Sequence, residues 1–202
     1  MITKVLPDAN VLYSKTLRDW LFLIRNEVSN GMYTVQSTED ILAEVTYNFR
    51  RNNQTIDGGK VARLVSHLRD SVDGLIPEYQ DDPNYSGTDQ NDRHVHAAAL
   101  AGEGVTVLTF DGGLLRLDDD RYEVCTPDDF FCLADDSYPF VVRAVALKQH
   151  KYWRSRTPKG KSLPDALKLA GCPEFADRVR LRLGEGLRRP ALQTEPQRLS
   201  VS

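Results

Sequence analysis

Four carboxylates in this chain stand where acids do chemistry. Asp8 follows the short β-prone run Ile2 to Leu6 and Pro7, and Asp111 follows Val105 to Phe110, so each sits at the carboxyl end of a strand-like segment. Glu44 lies between Leu42 and Val45, among the apolar positions of a helical stretch, where an acid is costly unless it is paired or binds a cation. Asp92 begins an alanine-rich helical stretch, with Asp89 one turn earlier on nearly the same face. Carboxylates gathered without matching bases repel one another, and a divalent cation removes that conflict. All-oxygen donors favour hard Mg²⁺ or Mn²⁺, which keep several waters and meet phosphate oxygens directly. Such an ion polarises a phosphate ester, activates water and neutralises the leaving oxygen. Read singly, each acid has an ordinary role. Asp8 is equally a helix-initiating residue, Glu44 a surface acid, Asp92 a first-turn acid favoured by the helix dipole and Asp111 an Asp-Gly turn. Their joint placement sets them apart.

Positioning these acids requires strands that end together. Ile2 to Leu6, Leu75 to Tyr79, Val105 to Phe110 and Tyr122 to Thr126 read as strands. Between them, Leu17, Trp20, Leu21, Ile24 and Val28 recur at helical steps, with Asn30-Gly31 as a stop. Ser37 or Thr38 caps a second helix with Ile41, Leu42, Val45 and Phe49 on its apolar stripe. A third runs from about Asp57 to Val72, and another from Asp89 to Glu103. Strands alternating with helices predict an α/β sandwich around a central parallel sheet. In such a sheet ligands bind outside the carboxyl ends of the strands. A helical turn from Pro127 to Phe131 closes this part. After about Ala134 the pattern becomes a helix from Pro139 to Tyr152, a polar stretch and a further helix. The expected division is 1–136 as the core domain, 137–192 as a basic helical extension and 193–202 as a disordered tail.

Of the 202 residues, 41% are hydrophobic and 27% charged, the balance of a soluble globular chain. The formal net charge of -3 hides a division: residues 73–136 hold 16 acids against 3 bases, and residues 143–193 hold 4 acids against 13 bases. An acidic segment beside a basic one suits a cation site next to a surface for a polyanion, and equally two solvated faces. Cys125, Cys132 and Cys172 form no CxxC pair and match no zinc-ligand spacing, so they read as reduced thiols. No apolar run approaches the roughly 20 residues a membrane helix needs, and Pro7 and Asp8 interrupt the start before a signal-peptide core forms. The expectation is a cytoplasmic chain without membrane association.

The segments KVLPDANVLYS, DILAEVTYNFRR, DQNDRHVHAAALAGEGVTVLTFDGG and TPDDFF resemble, in order and spacing, the successive motifs of the PIN domain. The likeness covers roughly residues 2–136 and is closest to VapC-type toxins of prokaryotic type II toxin-antitoxin pairs. It implies a PIN-like three-layer sandwich with a C-terminal helical extension, and a metal-dependent endoribonuclease using Mg²⁺ or Mn²⁺. Position by position, Asp8, Glu44, Asp92 and Asp111 match the family's metal-binding and catalytic acids, and Asn10 the polar residue after the first. One departure stands at the fourth acid. Relatives often carry Asn there with an Asp three residues on, whereas Asp111 is followed by Gly112, Gly113 and Leu114. The resemblance further implies an RNA substrate, a cognate antitoxin that plugs the acidic crevice, and homodimerisation.

Arg50, Arg51, Arg93 and His94 lie beside the acids in sequence as candidate phosphate contacts or as ordinary surface cations. Lys148, Lys151, Arg154, Arg156, Lys159 and Lys161 surround Trp153, a basic run with an aromatic that suits single-stranded RNA. Tyr152 and Trp153 are alternatively anchors of their helix on the core. Two rival functions remain at this level. One is an RNA- or protein-binding module on a PIN scaffold with a degenerate metal site. The other is a phosphatase with Asp8 as nucleophile, against which position 10 is Asn where a second acid would serve as acid/base.

Overall fold

Short apolar strands set the architecture of this chain, whose computed structural model describes residues 3–28, 31–87, 89–117, 119–156 and 162–187. Strands β1 (Thr3–Pro7), β2 (Tyr33–Ser37), β3 (Gly74–Leu75), β4 (Val105–Leu108) and β5 (Glu123–Cys125) form one sheet in the order β3-β2-β1-β4-β5. Every pairing is parallel. Parallel neighbours cannot be joined by a tight turn, so helices carry the chain back across the sheet. Helices α1 (Ala9–Tyr13) and α2 (Lys15–Glu27) link β1 to β2, and α3 (Glu39–Asn52) and α4 (Gly58–Ser71) link β2 to β3. A loop, a 3₁₀ turn at Gln90–Asp92 and α5 (Arg93–Ala101) lead to β4, and α6 (Gly112–Leu115) leads to β5. Helices α7 (Pro127–Ser137), α8 (Pro139–Arg156), α9 (Leu163–Leu169) and α10 (Pro173–Leu187) complete the described chain.

Successive strand residues point to opposite faces, which splits the core in two. Val5 and Leu108 join Trp20, Leu21, Tyr33 and Phe131 on one face, whereas Leu6 and Val107 join Ile41, Val45, Val95 and Ala98 on the other. Both faces are covered, as a parallel sheet demands, giving the expected sandwich of helices around a central parallel sheet. Helices α8 to α10 add Val142, Val145, Leu167, Phe175 and Val179 to the first cluster, and Phe175 meets Trp20 edge-on at 4.9 Å between ring centroids. Burying such a side chain contributes about 1.5–3 kcal/mol. The Asp128 carboxylate accepts from the Glu174 and Phe175 amides at 3.1 and 2.8 Å, seating the start of α10 on α7.

Several boundaries differ from the sequence expectation. The first helical stretch is two helices, because Ser14 breaks the chain and caps α2 by accepting from the Leu17 amide at 3.4 Å. The strand expected over Leu75 to Tyr79 spans only Gly74–Leu75. Pro77 lacks an amide hydrogen for the ladder, and the Tyr79 hydroxyl turns away to the Asp40 carboxylate. The helix expected from Asp89 opens with the 3₁₀ turn and becomes α-helical at Arg93. The helix at Pro127 continues to Ser137, and that at Pro139 continues to Arg156. The expected tail at 193–202 lies outside the described residues, as do Asn30, Lys159 and Lys161.

The strand order also places the site. From β1 the chain moves outward to β2 and β3, then returns to the other side of β1 as β4. The sheet therefore reverses its winding between β1 and β4, and a crevice opens beyond their carboxyl ends. In register, Pro7 lies beside Leu108, so Asp8 and Thr109 leave the sheet side by side.

Candidate active site

Asp8 leaves β1 with its amide donating to the Leu108 carbonyl at 2.9 Å, which fixes its backbone against β4. Its side chain is only 5% exposed. Oδ1 accepts from the Ala9 amide at 2.5 Å, and Oδ2 accepts from the Thr109 hydroxyl at 2.7 Å and from the Asn10 amide. Thr109 Oγ1 in turn accepts from the Asp111 amide at 2.9 Å. One hydroxyl thus orients two acids, and Thr109 carries no periodicity or charge by which the sequence would reveal it. Only its place as the last residue before Phe110-Asp111 at a strand end marks it. The Asp111 Oδ1 atom accepts from the Gly113 and Leu114 amides at 2.6 and 3.1 Å, capping α6. Asp111 is a turn residue and a lining residue of the cleft at once.

The other two acids arrive on helices. Thr38 caps α3 by accepting from the Ile41 amide at 3.1 Å, and the buried stripe Ile41, Leu42 and Val45 seats the helix on the sheet. Glu44 falls beside that stripe, half-exposed, facing the crevice. Asp92 ends the 3₁₀ turn at the start of α5, and its Oδ2 is buried without a hydrogen-bond partner. Asp8, Glu44, Asp92 and Asp111, drawn from four separate elements, line one cleft of about 750 Å³ together with Asp40 and Asp89.

Their crowding is legible in proton affinity. Burial, then the neighbouring Asp111 and Asp8 charges, push the Asp92 carboxyl up to about 7. Burial and then Asp8 raise Glu44. Burial also raises Asp8, against the lowering pull of the Thr109 and Ala9 hydrogen bonds. His94 faces the same cleft. Its Nδ1 lies 2.7 Å from the Asn91 carbonyl, which only accepts, so Nδ1 carries the proton and Nε2 points toward Glu44 Oε2 at 3.6 Å.

The remaining predicted residues divide. Asn10 and His94 line the cleft, as does Arg51, whereas Arg50 lies on the exposed side of α3. Arg93 turns away and makes a two-point ion pair with Asp81, at 2.9 and 2.6 Å, under the Tyr85 ring. Its guanidinium is committed to holding the loop before α5. Lys151 and Arg154 are exposed on α8 and line no part of the cleft, and Lys148 pairs with Glu27. Trp153 packs against the core while Tyr152 lies exposed, with Lys15 over its ring at 5.8 Å. The anchor is therefore Trp153 and not Tyr152. Sequence reading missed Asp40, Tyr47, Asn48 and Asn91 as cleft residues. For the α3 members, spacing from Glu44 at three- and four-residue steps was the available signal.

The donor set fits a hard divalent cation. All four acids offer oxygen, two buried oxygens in the site, Asp92 Oδ2 and Asn10 Oδ1, have no hydrogen-bond partner, and three of the acids hold protons more tightly than usual, first because they are buried and then because they face other acids. Among the described residues no three acid, histidine or cysteine side chains stand close enough to enclose an ion. A hard divalent cation held by so few protein oxygens keeps several waters in its shell. Asn10 donates to Asp8, so position 10 supplies an amide donor where a phosphatase with Asp8 as nucleophile would need a second acid. Cys125, Cys132 and Cys172 carry no disulfide, and burial pushes the first two thiols up to about 12, which removes them as nucleophiles. Among the described residues no helix is long and apolar enough to cross a membrane.

A search of curated proteins finds no match. The family model described as PIN domain matches residues 4–112. That span contains Asp8, Glu44, Asp92 and Asp111 and ends one residue after the last of them. PIN domains are generally metal-dependent nucleases, and the match, the parallel sheet and the acids at its switch point agree. This chain belongs to the PIN-domain family.

Proposed function

We propose that this protein is a Mg²⁺- or Mn²⁺-dependent endoribonuclease, the toxin of a cytoplasmic toxin-antitoxin pair of the VapC type. The observation that carries the nuclease reading is the meeting of Asp8, Glu44, Asp92 and Asp111 in one cleft at the β1/β4 switch point. The toxin assignment rests on the motif likeness set out above. It implies an antitoxin that presents a basic side chain to the acids, and a homodimer.

Asp8, Glu44, Asp92 and Asp111 would hold the ion, which supplies charge neutralisation at the phosphate and acidifies water. The protein's own groups do the rest. Thr109 and the Ala9 amide fix the Asp8 carboxylate, so that one wall of the site costs no reorganisation when charge builds up on the phosphate. The carboxylates accept the proton of the attacking water as its oxygen bonds to phosphorus. One P–O ester bond breaks, and the departing oxygen takes up a proton from solvent or from a protonated side chain. The basic residues Lys151 and Arg154 would hold RNA at a distance from the reacting atoms.

Covalently closed single-stranded RNA tests this reading, since only an endonuclease opens it. Linear RNA formed with Mg²⁺ or Mn²⁺, and absent in chelator, is expected. Circles that stay closed with either metal would overturn it.

A further inference from the structure

Beyond Glu44, a strip of α3 that no catalytic role uses runs from the acids to the mouth of the cleft. Positions 44, 47, 48 and 51 are three or four residues apart and share one helix face, next to the buried stripe of Ile41, Leu42 and Val45. Along that face the chemistry changes in order: the carboxylate of Glu44, the ring of Tyr47, the amide of Asn48, the guanidinium of Arg51. All four line the cleft. At 1.5 Å per residue the strip covers about 10 Å from Glu44 to Arg51.

Two of these side chains are displayed without structural use. Tyr47 is 61% exposed, and no described residue gives the Tyr47 or Arg51 side chain a hydrogen bond, ion pair or ring contact. A large aromatic left in water beside a polar site costs apolar exposure that the fold does not need. The Asn48 amide lies one turn from Glu44 and partly offsets the burial that raises its carboxyl, so the strip adjoins the acids. Charge gives it a direction. Of the described residues lining the cleft, Arg51 alone carries a fixed positive charge, against Asp8, Asp40, Glu44, Asp89, Asp92 and Asp111. A polyanion is repelled at the acidic end and attracted at the Arg51 end, so it enters along α3.

We propose that Tyr47 and Arg51 form the binding ramp for the nucleotide beside the scissile phosphate, with an unpaired RNA base stacked on the Tyr47 ring and the adjoining phosphate on Arg51. The proposal rests on the nuclease reading and adds a substrate class, since a base can lie on an aromatic ring only when it is free of a partner strand. Stacking is tolerant of base identity, so the ramp selects single strands and leaves sequence choice to other groups.

The test measures affinity by fluorescence anisotropy with the full chain carrying Asp92→Asn, so that the probe survives. Three probes of equal length are used in Mg²⁺: labelled oligouridine, a ribose-phosphate oligomer lacking bases, and an RNA duplex. Tyr47→Ala is expected to weaken oligouridine binding about 5- to 150-fold, to leave the baseless and duplex probes within about twofold, and to keep the melting temperature, since the ring is exposed. Tyr47→Phe should restore binding. Arg51→Gln should weaken oligouridine and the baseless oligomer alike and reduce the salt slope of the logarithm of affinity by about 0.7. An unchanged oligouridine affinity in Tyr47→Ala, or an equal loss on the baseless or duplex probe, would overturn the ramp. Failure of the wild-type protein to open circular RNA would instead remove the nuclease reading. The Tyr47 dependence on oligouridine would still decide the ramp.

Discussion

Replacing Asp92 with Asn should make the metal-free protein more stable while destroying its activity. The carboxyl is pushed from its ordinary 3.8 up to about 7 by burial and by Asp111, Asp8 and Asp89. The folded state therefore binds a proton more tightly than the unfolded chain between those two values. Stability contributed by this group is full below the unfolded value, falls as pH rises through the window, and is lost above about 7. A carboxyl moved that far in an unscreened site corresponds to about 4 kcal/mol. Asp92 is reached by solvent, which reduces the recoverable part to about 1–2 kcal/mol. For a chain of this size that is a rise in Tm of about 2–8 °C. The assay is thermal unfolding in chelator from pH 4 to pH 8. Asp92→Asn should exceed wild type at pH 8 and coincide with it near pH 4, and Mg²⁺ should raise Tm in wild type much more than in the variant. Equal stability at pH 8, or a gain that does not vary with pH, would refute the burial and crowding of this carboxyl as its cause.

Glu44→Gln and Asp111→Asn should each lower the RNA cleavage rate by at least about 100-fold, with circular dichroism unchanged; a loss under tenfold in either would remove that acid from the site. Thr109→Val keeps the shape but deletes the hydroxyl that bonds Asp8, Asn10 and Asp111. It should cost about 1–3 kcal/mol in urea unfolding at neutral pH and lower cleavage at saturating RNA. The pair Lys151→Gln and Arg154→Gln should weaken RNA affinity and reduce its salt slope while leaving cleavage at saturating RNA near wild type. An unchanged slope would return α8 to a solvated face.

Asp8 and Asp111 were readable because a strand end is written in the chain itself: an apolar run, then an acid and a break. Glu44 was readable from its place against a helical stripe. What surrounds them is not periodic. Arg50 and Arg51 are neighbours in sequence but about 100° apart on α3, so a small error in helix phase exchanges the one in the cleft for the one in solvent. Arg93 pairs with Asp81 across a loop whose path no pattern gives. That loop owes its shape to tertiary contacts: Tyr79 on Asp40, and the buried His96 between the Tyr122 hydroxyl at 2.8 Å and Asp82 at 3.1 Å. The basic charge of residues 143–193 likewise hid the apolar side of α8 to α10, where Val142, Val145, Phe175 and Val179 share the core with Trp20. Net charge reports the solvent face of a helix and is silent on the face it buries.

The most direct test of the acids as a cation site for RNA hydrolysis is the initial rate of single-stranded RNA cleavage as Mg²⁺ is titrated from chelator to saturation, in wild type and Asp8→Asn. Wild type should rise from no detectable rate to a plateau, with the midpoint moving to lower Mg²⁺ as pH increases through 7, because protons and metal compete for Asp92. Asp8→Asn should stay below about one hundredth of that plateau at every concentration. Cleavage that persists in chelator, or an Asp8→Asn curve that overlays wild type, would contradict the account.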